Sequence, residues 1–106
     1  DPNLPPQNRD HLDAIADLAR RNHVQRHYLF GSAVRDDFDP RGSDLDFAVD
    51  FKPDAPRLGF EGPYFKLLFG LKKLFNREVD LVQRSAIRNP YFREELEETE
   101  VLIYEA

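Results

Sequence analysis

Two aspartates one residue apart carry the clearest chemical signal in the chain. Asp44 and Asp46 lie in the segment Ser43-Asp44-Leu45-Asp46-Phe47. Alternate side chains of a β-strand point to the same face, so the two carboxylates would lie side by side. Such a pair is costly unless it binds a cation or takes up a proton. Mg²⁺ suits it, because this ion prefers oxygen ligands and keeps positions open for water and substrate phosphate.

A Gly-Ser turn and a third acid extend this pattern. Gly31 would let the backbone approach a phosphate closely, and Ser32 adds a hydroxyl donor. Asp80 stands in an apolar stretch, where an acid is costly unless it is paired or bound to metal. If its strand lies beside that of Asp46, three carboxylates meet at a site for one or two metal ions and a nucleoside triphosphate. The third carboxylate would then accept a proton from the attacking hydroxyl.

Each of these features alone has a simpler explanation. An isolated Asp-x-Asp is usually a solvated strand face or a turn, and a lone Gly-Ser is usually only a turn. Their order along the chain, followed by an acid within a strand, favours a metal–nucleotide site. Arg35 would either contact a phosphate or pair with Asp37 or Asp39. Ser43 would either contact the nucleotide or cap the loop before the strand.

Other polar and aromatic residues are expected to have structural roles. The three histidines His11, His23 and His27 lack metal-ligand spacing, so surface or helix-end positions are expected. Several aromatic residues are expected to be core, although a chain this small can hardly bury them all, and an exposed patch would mark a partner surface. They are Phe60, Tyr64, Phe65, Phe69 and Phe75.

Length and composition bound the possibilities. The 106 residues predict one domain over 1–106, with residues 1–9 as a flexible arm. The net charge of −5 argues against sequence-independent nucleic-acid binding but not against a nucleotide. There is no apolar run long enough to cross a membrane, and no cysteine, which excludes a disulfide or thiolate site and favours a cytoplasmic protein. Self-association is left open.

Hydrophobic periodicity predicts alternating helices and strands, and hence an α/β (α+β) fold with helices packed on a sheet of about four strands. In β-strand 44–51, Leu45, Phe47 and Val49 fall on one face and the aspartates on the other. The predicted helices are 10–22, a short turn at 32–36, 64–76 and 90–98, and the predicted strands are 26–30, 44–51, 78–83 and 101–104.

The order of these residues resembles the signature of the polymerase-beta-like nucleotidyltransferases, and the short length resembles their minimal members. The resemblance runs from Tyr28 to Tyr104 and is carried by Phe30-Gly31-Ser32-Ala33-Val34-Arg35-Asp36-Asp37-Phe38 and Ser43-Asp44-Leu45-Asp46-Phe47. It implies the family's mixed-sheet fold, Mg²⁺, and transfer of a nucleoside monophosphate from ATP or another triphosphate to a hydroxyl. The resemblance implies metal-binding and catalytic roles for Asp44, Asp46 and Asp80, and phosphate binding by Gly31 and Ser32.

The resemblance also suggests a partner. Minimal nucleotidyltransferases are often encoded beside a helical protein of the HEPN type, so a tyrosine of such a toxin is the expected acceptor. One alternative is an antitoxin that acts by contact alone. It gains some support from Asp36, where the family commonly has glycine, and from a loop before Asp44 that is one residue longer. Another alternative is transfer to a small molecule such as an aminoglycoside.

Overall fold

A computed structural model describes residues 11–31, 45–56 and 62–106. Within these ranges the order is helix, two strands, helix, strand, helix, strand. The elements are α1 (Leu12–Arg21), β1 (Val24–Phe30), β2 (Leu45–Phe51), α2 (Pro63–Phe75), β3 (Val79–Gln83), a 3₁₀ turn (Arg84–Ala86), α3 (Pro90–Thr99) and β4 (Val101–Glu105). Each lies within two residues of a predicted element, except that the 3₁₀ turn was not predicted. The short helix predicted at 32–36 lies outside the described residues.

The four strands form one mixed sheet in the order β3-β2-β1-β4. β1 pairs antiparallel with both β2 and β4, whereas β2 pairs parallel with β3. A parallel pair needs a long crossover connection, and α2 lies in the one between β2 and β3. This mixed four-stranded sheet with helices packed on it confirms the predicted fold class.

Local sequence signals explain where the helices begin. Pro63 and Pro90 each occupy the first turn of a helix, where the missing N–H of proline leaves no hydrogen bond unmade. At the start of α3 the Asn89 side chain accepts hydrogen bonds from the backbone N–H groups of Tyr91 (2.9 Å) and Phe92 (3.3 Å). α2 ends at Asn76, whose left-handed backbone (φ 53°) stops the helix.

One face of the sheet forms the hydrophobic core. Leu45, Phe47 and Val49 are fully buried there, as the alternation in β2 predicts. Helices α1 and α2 cover this face and contribute Ile15, Ala19, Leu67 and Leu71 to the same cluster. Because alternate residues face away from this core, β2 must present Asp46 on the opposite face of the sheet.

On that opposite face, one arginine joins three elements. Arg84 contacts the Asp50 carboxylate of β2 at 2.7 Å and the Glu100 carboxylate, just after α3, at 3.0 Å. Its guanidinium also lies 4.6 Å from the centre of the Tyr28 ring. Burial lowers the pKa of Arg84, but the hydrogen bonds to Glu100 and Asp50 outweigh this effect and raise it. The network fixes the 3₁₀ turn and the end of α3 against the sheet.

His27 contradicts the expectation of a surface or helix-end role. It is fully buried between the sheet and the helices, and its ring centre lies 5.1 Å from that of Phe47. Neither ring nitrogen has a hydrogen-bond partner among the described residues. Burial lowers the pKa of His27 to about 3, because it disfavours the charged form of the ring.

His27 predicts an acid sensitivity of the fold. The unfolded chain binds a proton at His27 near its ordinary pKa of about 6.5, whereas the folded chain binds it only near pH 3. The free energy of unfolding should therefore fall as the pH drops from about 6.5 towards 3, by up to about 1.4 kcal/mol per pH unit from this residue. Urea denaturation between pH 7 and pH 4 measures it.

Substitution of His27, compared with a matched control, separates its effect on the pH dependence of stability from the effect of the carboxylates. His27→Leu should flatten the pH dependence relative to the unmodified chain and relative to His23→Gln, the matched control at an exposed position. Parallel pH profiles for all three chains would contradict this account of His27.

Candidate active site

Asp46 and Asp80 are neighbours in the sheet. β2 and β3 are parallel and in register, with Asp46 opposite Asp80. Residues opposite each other on adjacent strands point to the same face, and the strands lie about 4.8 Å apart. The predicted convergence of these two acids therefore occurs, on the face that points away from the hydrophobic core.

Asp80 lies beside Asp46 as predicted, but the expectation that its apolar strand makes the charge costly was wrong. Among the described strands β3 lies at the edge of the sheet, and Asp80 is exposed to solvent. Its charge therefore carries little of the desolvation cost that an acid in a buried strand would carry. Proximity to Asp46, rather than burial, makes Asp80 a candidate for chemistry.

Gly31 lies directly against the Asp46 side chain. It follows β1 and has a positive φ of 74°, a conformation that side chains with a Cβ rarely adopt. A Cβ added at this position would overlap the Asp46 carboxylate and come within 3.1 Å of its Cγ. Glycine is therefore required both for the backbone conformation and for the space that the carboxylate occupies.

A cavity of about 640 Å³ contains all three of these residues in its wall. Gly31 and Asp46 contribute from the centre of the sheet and Asp80 from the edge. Phe30 and Phe92 form an aromatic part of the wall, with ring centres 6.1 Å apart. The volume lies in the range of small-ligand sites.

Tyr64 packs against the hydrophobic core, as expected, and also lines this cavity. Its hydroxyl donates a 2.6 Å hydrogen bond to the Leu81 carbonyl, next to Asp80 in the chain. Burial, and then the charge of Asp80, raise the pKa of Tyr64, so the phenol stays protonated and remains a donor. Lys72 also lines the cavity, with its ammonium 3.6 Å from the Glu78 carboxylate. The sequence did not predict that Tyr64 and Lys72 line the cavity. Helical spacing is the same for a residue that faces the core and for one that faces a cavity.

The remaining predicted site residues lie outside the described ranges. They are Ser32, Arg35, Ser43 and Asp44. Within 11–31, 45–56 and 62–106, no three His, Cys, Asp or Glu side chains form a group that could hold a metal ion. The two described carboxylates, Asp46 and Asp80, supply the hard oxygen donors that Mg²⁺ prefers, so the donor chemistry fits the ion.

None of the described helices has the length and apolar character needed to span a bilayer.

Comparison with known proteins shows the family. Residues 11–103 match the family model described as a nucleotidyltransferase domain. Over 76 residues the chain is 36% identical to "Putative protein adenylyltransferase MJ1379" of Methanocaldococcus jannaschii, covering 72% of this chain and 71% of that one. It is also 36% identical over 87 residues to a second protein of that organism with the same description, MJ0128, covering 82% of each. The chain belongs to the nucleotidyltransferase domain family and is a nucleotidyltransferase.

Solved structures agree with this fold. One described as a "putative minimal nucleotidyltransferase" superimposes with a TM-score of 0.71 at 26% identity, covering 88% of this chain and 89% of that chain. A toxin–antitoxin structure with AMP-PNP gives a TM-score of 0.66 at 23% identity, covering 90% and 73%. The predicted fold is thus that of the minimal nucleotidyltransferases.

The contact between Gly31 and Asp46 predicts an energetic coupling. Gly31→Ala should lower the free energy of unfolding by roughly 2 kcal/mol, from the unfavourable φ and from the overlap with the carboxylate. In the background of Asp46→Ala the same substitution should cost about 1 kcal/mol less, because the carboxylate is gone. Urea denaturation of the four chains measures both values. Strictly additive costs would show that the two residues do not constrain each other.

Proposed function

We propose that this chain uses Mg²⁺ and ATP to transfer AMP to a hydroxyl group of a partner protein. The observation that carries the proposal is the in-register placement of Asp46 and Asp80 on adjacent parallel strands, beside the backbone of Gly31 and in the wall of one cavity. Family membership gives the class of reaction. The arrangement supplies carboxylates for a cation and a side-chain-free backbone for a phosphate.

The proposed roles of Asp46, Asp80 and Gly31 follow from their positions, whereas those of the other residues come from the sequence pattern alone. Asp46, with Asp44 preceding it by two residues, would hold the cation, and Asp80 would complete the carboxylate set. A bound Mg²⁺ would neutralise charge on the triphosphate and favour in-line displacement. Gly31 and Ser32 would bind phosphate oxygens, with Ser43 and Arg35 as further contacts.

The proposed reaction is a displacement at the α-phosphorus of ATP. The acceptor oxygen forms a bond to the α-phosphorus of ATP, and the bond from that phosphorus to the bridging oxygen breaks. Pyrophosphate leaves with the bonding electrons, and the hydroxyl proton passes to the Asp80 carboxylate and then to water. Asp80 is suited to this step because its exposed edge position leaves room for an acceptor.

A HEPN-type protein is the proposed acceptor. Two relatives carry the name "Putative protein adenylyltransferase", which favours a protein over a small molecule. A further structure of similar fold is an MNT antitoxin in complex with a tri-AMPylated HEPN toxin of Shewanella oneidensis, at a TM-score of 0.64 and 23% identity over 93% of this chain and 73% of that chain. By analogy, the partner would be a HEPN toxin and this chain its antitoxin.

Substitution of either described carboxylate tests the proposal. Asp46→Asn and Asp80→Asn keep the side-chain size but remove the charge, so each should lower AMP transfer by about 100-fold or more. The assay follows label from α-³²P-ATP into a purified HEPN-type protein, with Mg²⁺ present and after chelation.

The matched control is Asp54→Asn, in the exposed turn after β2 and away from the cavity wall. It should transfer AMP at the unmodified rate. Full transfer by Asp46→Asn, or transfer that is indifferent to chelation, would refute the metal site. Neutralisation of the partner by an Asp46→Asn chain that transfers no AMP would favour the contact-only antitoxin.

A further inference from the structure

The outer edge of β3 carries unpaired backbone groups among the described residues. The Glu78 carbonyl accepts a hydrogen bond from the Leu45 N–H of β2 at 3.2 Å. The backbone groups of Glu78 and of every second residue after it therefore point towards β2. Val79 and Leu81 therefore point theirs away from the sheet. The Leu81 carbonyl does point outwards, since it accepts the Tyr64 hydroxyl. The backbone N–H and C=O of Val79 and the N–H of Leu81 remain as a template for another strand.

The cavity follows this edge. Five consecutive residues, 78–82, line it. The side chains of Val79 and Leu81 face the core, whereas those of Asp80 and Val82 face the other side of the sheet. Because the cavity touches residues of both kinds, it must run along the edge of the sheet. One wall comes from α2 and the other from α3, which makes it a groove between two helices with β3 as its floor. We call it the β3 groove. The other sheet edge, β4, lies three strands away from Asp80.

Most charged side chains that line the β3 groove are negative among the described residues. The carboxylates in its wall are Asp46, Glu78, Asp80 and Glu95, and the only ammonium there among the described residues is Lys72, which pairs with Glu78. The proposed cation would offset Asp46 and Asp80. The carboxylate of Glu95, exposed on α3, would not be offset in this way and presents a negative charge to a ligand in the groove. Away from the proposed cation, this charge disfavours acidic segments of a protein partner and complements basic ones.

The geometry points to the β3 groove as the docking site for the acceptor: an extended, basic segment of the partner protein that adds a strand to β3 and carries the hydroxyl to be modified. This inference rests on the proposed function, because it names the acceptor of that reaction. Backbone hydrogen bonds to Val79 and Leu81 would supply affinity independent of sequence, and the charge would select basic neighbours of the hydroxyl. A residue opposite Asp80 in the added strand would point to the same face as Asp80, next to the proposed proton acceptor.

Strand addition has a signature that other binding modes lack. Only every second N–H of an added strand points at its neighbour. The probe is a nine-residue peptide with a central tyrosine and arginines at alternate flanking positions, labelled with a fluorophore. A series with one backbone N-methyl group at each successive position should lose binding at every second position, by about tenfold or more, and keep it between. Anisotropy with the full chain, without nucleotide, measures it. Equal losses at all positions, or none, would overturn the inference.

A pair of variants on α3 tests the charge selection. Glu95→Lys should weaken binding of the basic peptide about fivefold at low salt and improve binding of a peptide with glutamates in place of the arginines. Glu97→Lys, an exposed position of the same helix outside the groove, should change neither by more than a factor of two. Equal effects of the two variants would overturn the assigned docking site.

Two further measurements separate this inference from the proposed function. Mg²⁺-dependent binding of a fluorescent ATP analogue and AMP transfer to the folded partner report the nucleotide site without the peptide. If both occur while the peptide series shows no alternation, the docking site is wrong and the proposed function stands. If alternation appears in a chain that neither binds ATP nor transfers AMP, the groove binds a strand and the proposed function fails.

Discussion

Parallel pairing of β2 with β3 holds two carboxylates, Asp46 and Asp80, side by side on the face of the sheet that the core does not use. Like charges at this spacing repel, and the fold overcomes that repulsion through the buried faces of the same strands. Phe47 on β2 and Leu81 on β3, the next residue in each strand, pack into the hydrophobic core. Burial on one face thus fixes the register that keeps the charges adjacent on the other.

The two faces of the sheet therefore divide structure from chemistry. The covered face holds the apolar cluster and tolerates even a neutral histidine, His27, whose burial costs the fold stability in acid. The opposite face carries the Arg84 network at one part and the cavity-lining Asp46 and Asp80 at another. Because α3 is attached to the sheet through Arg84, the cavity wall that it provides has a defined position. Gly31, at the end of the central strand β1, brings backbone to Asp46 without a side chain between them.

Local periodicity predicted the elements and the two faces of β2, because alternation is a property of the strand itself. The pairing of Asp46 with Asp80 could only be hypothesised, since 34 positions separate them and no local pattern encodes which strands are neighbours. The apolar run around Asp80 could not distinguish an exposed edge strand from a buried one, so the desolvation argument was wrong. Burial of His27 had a signal that was missed: it lies two residues before buried Leu29, on the same strand face.

The most direct measurement of the central claim is a crystal structure of the chain with Mg²⁺ and a non-hydrolysable ATP analogue. The account predicts a divalent cation bonded to an Asp46 carboxylate oxygen at about 2.1 Å, with the triphosphate beside the Gly31 backbone and the α-phosphorus facing Asp80. A cation and triphosphate bound elsewhere, with Asp46 and Asp80 contacting neither, would contradict it.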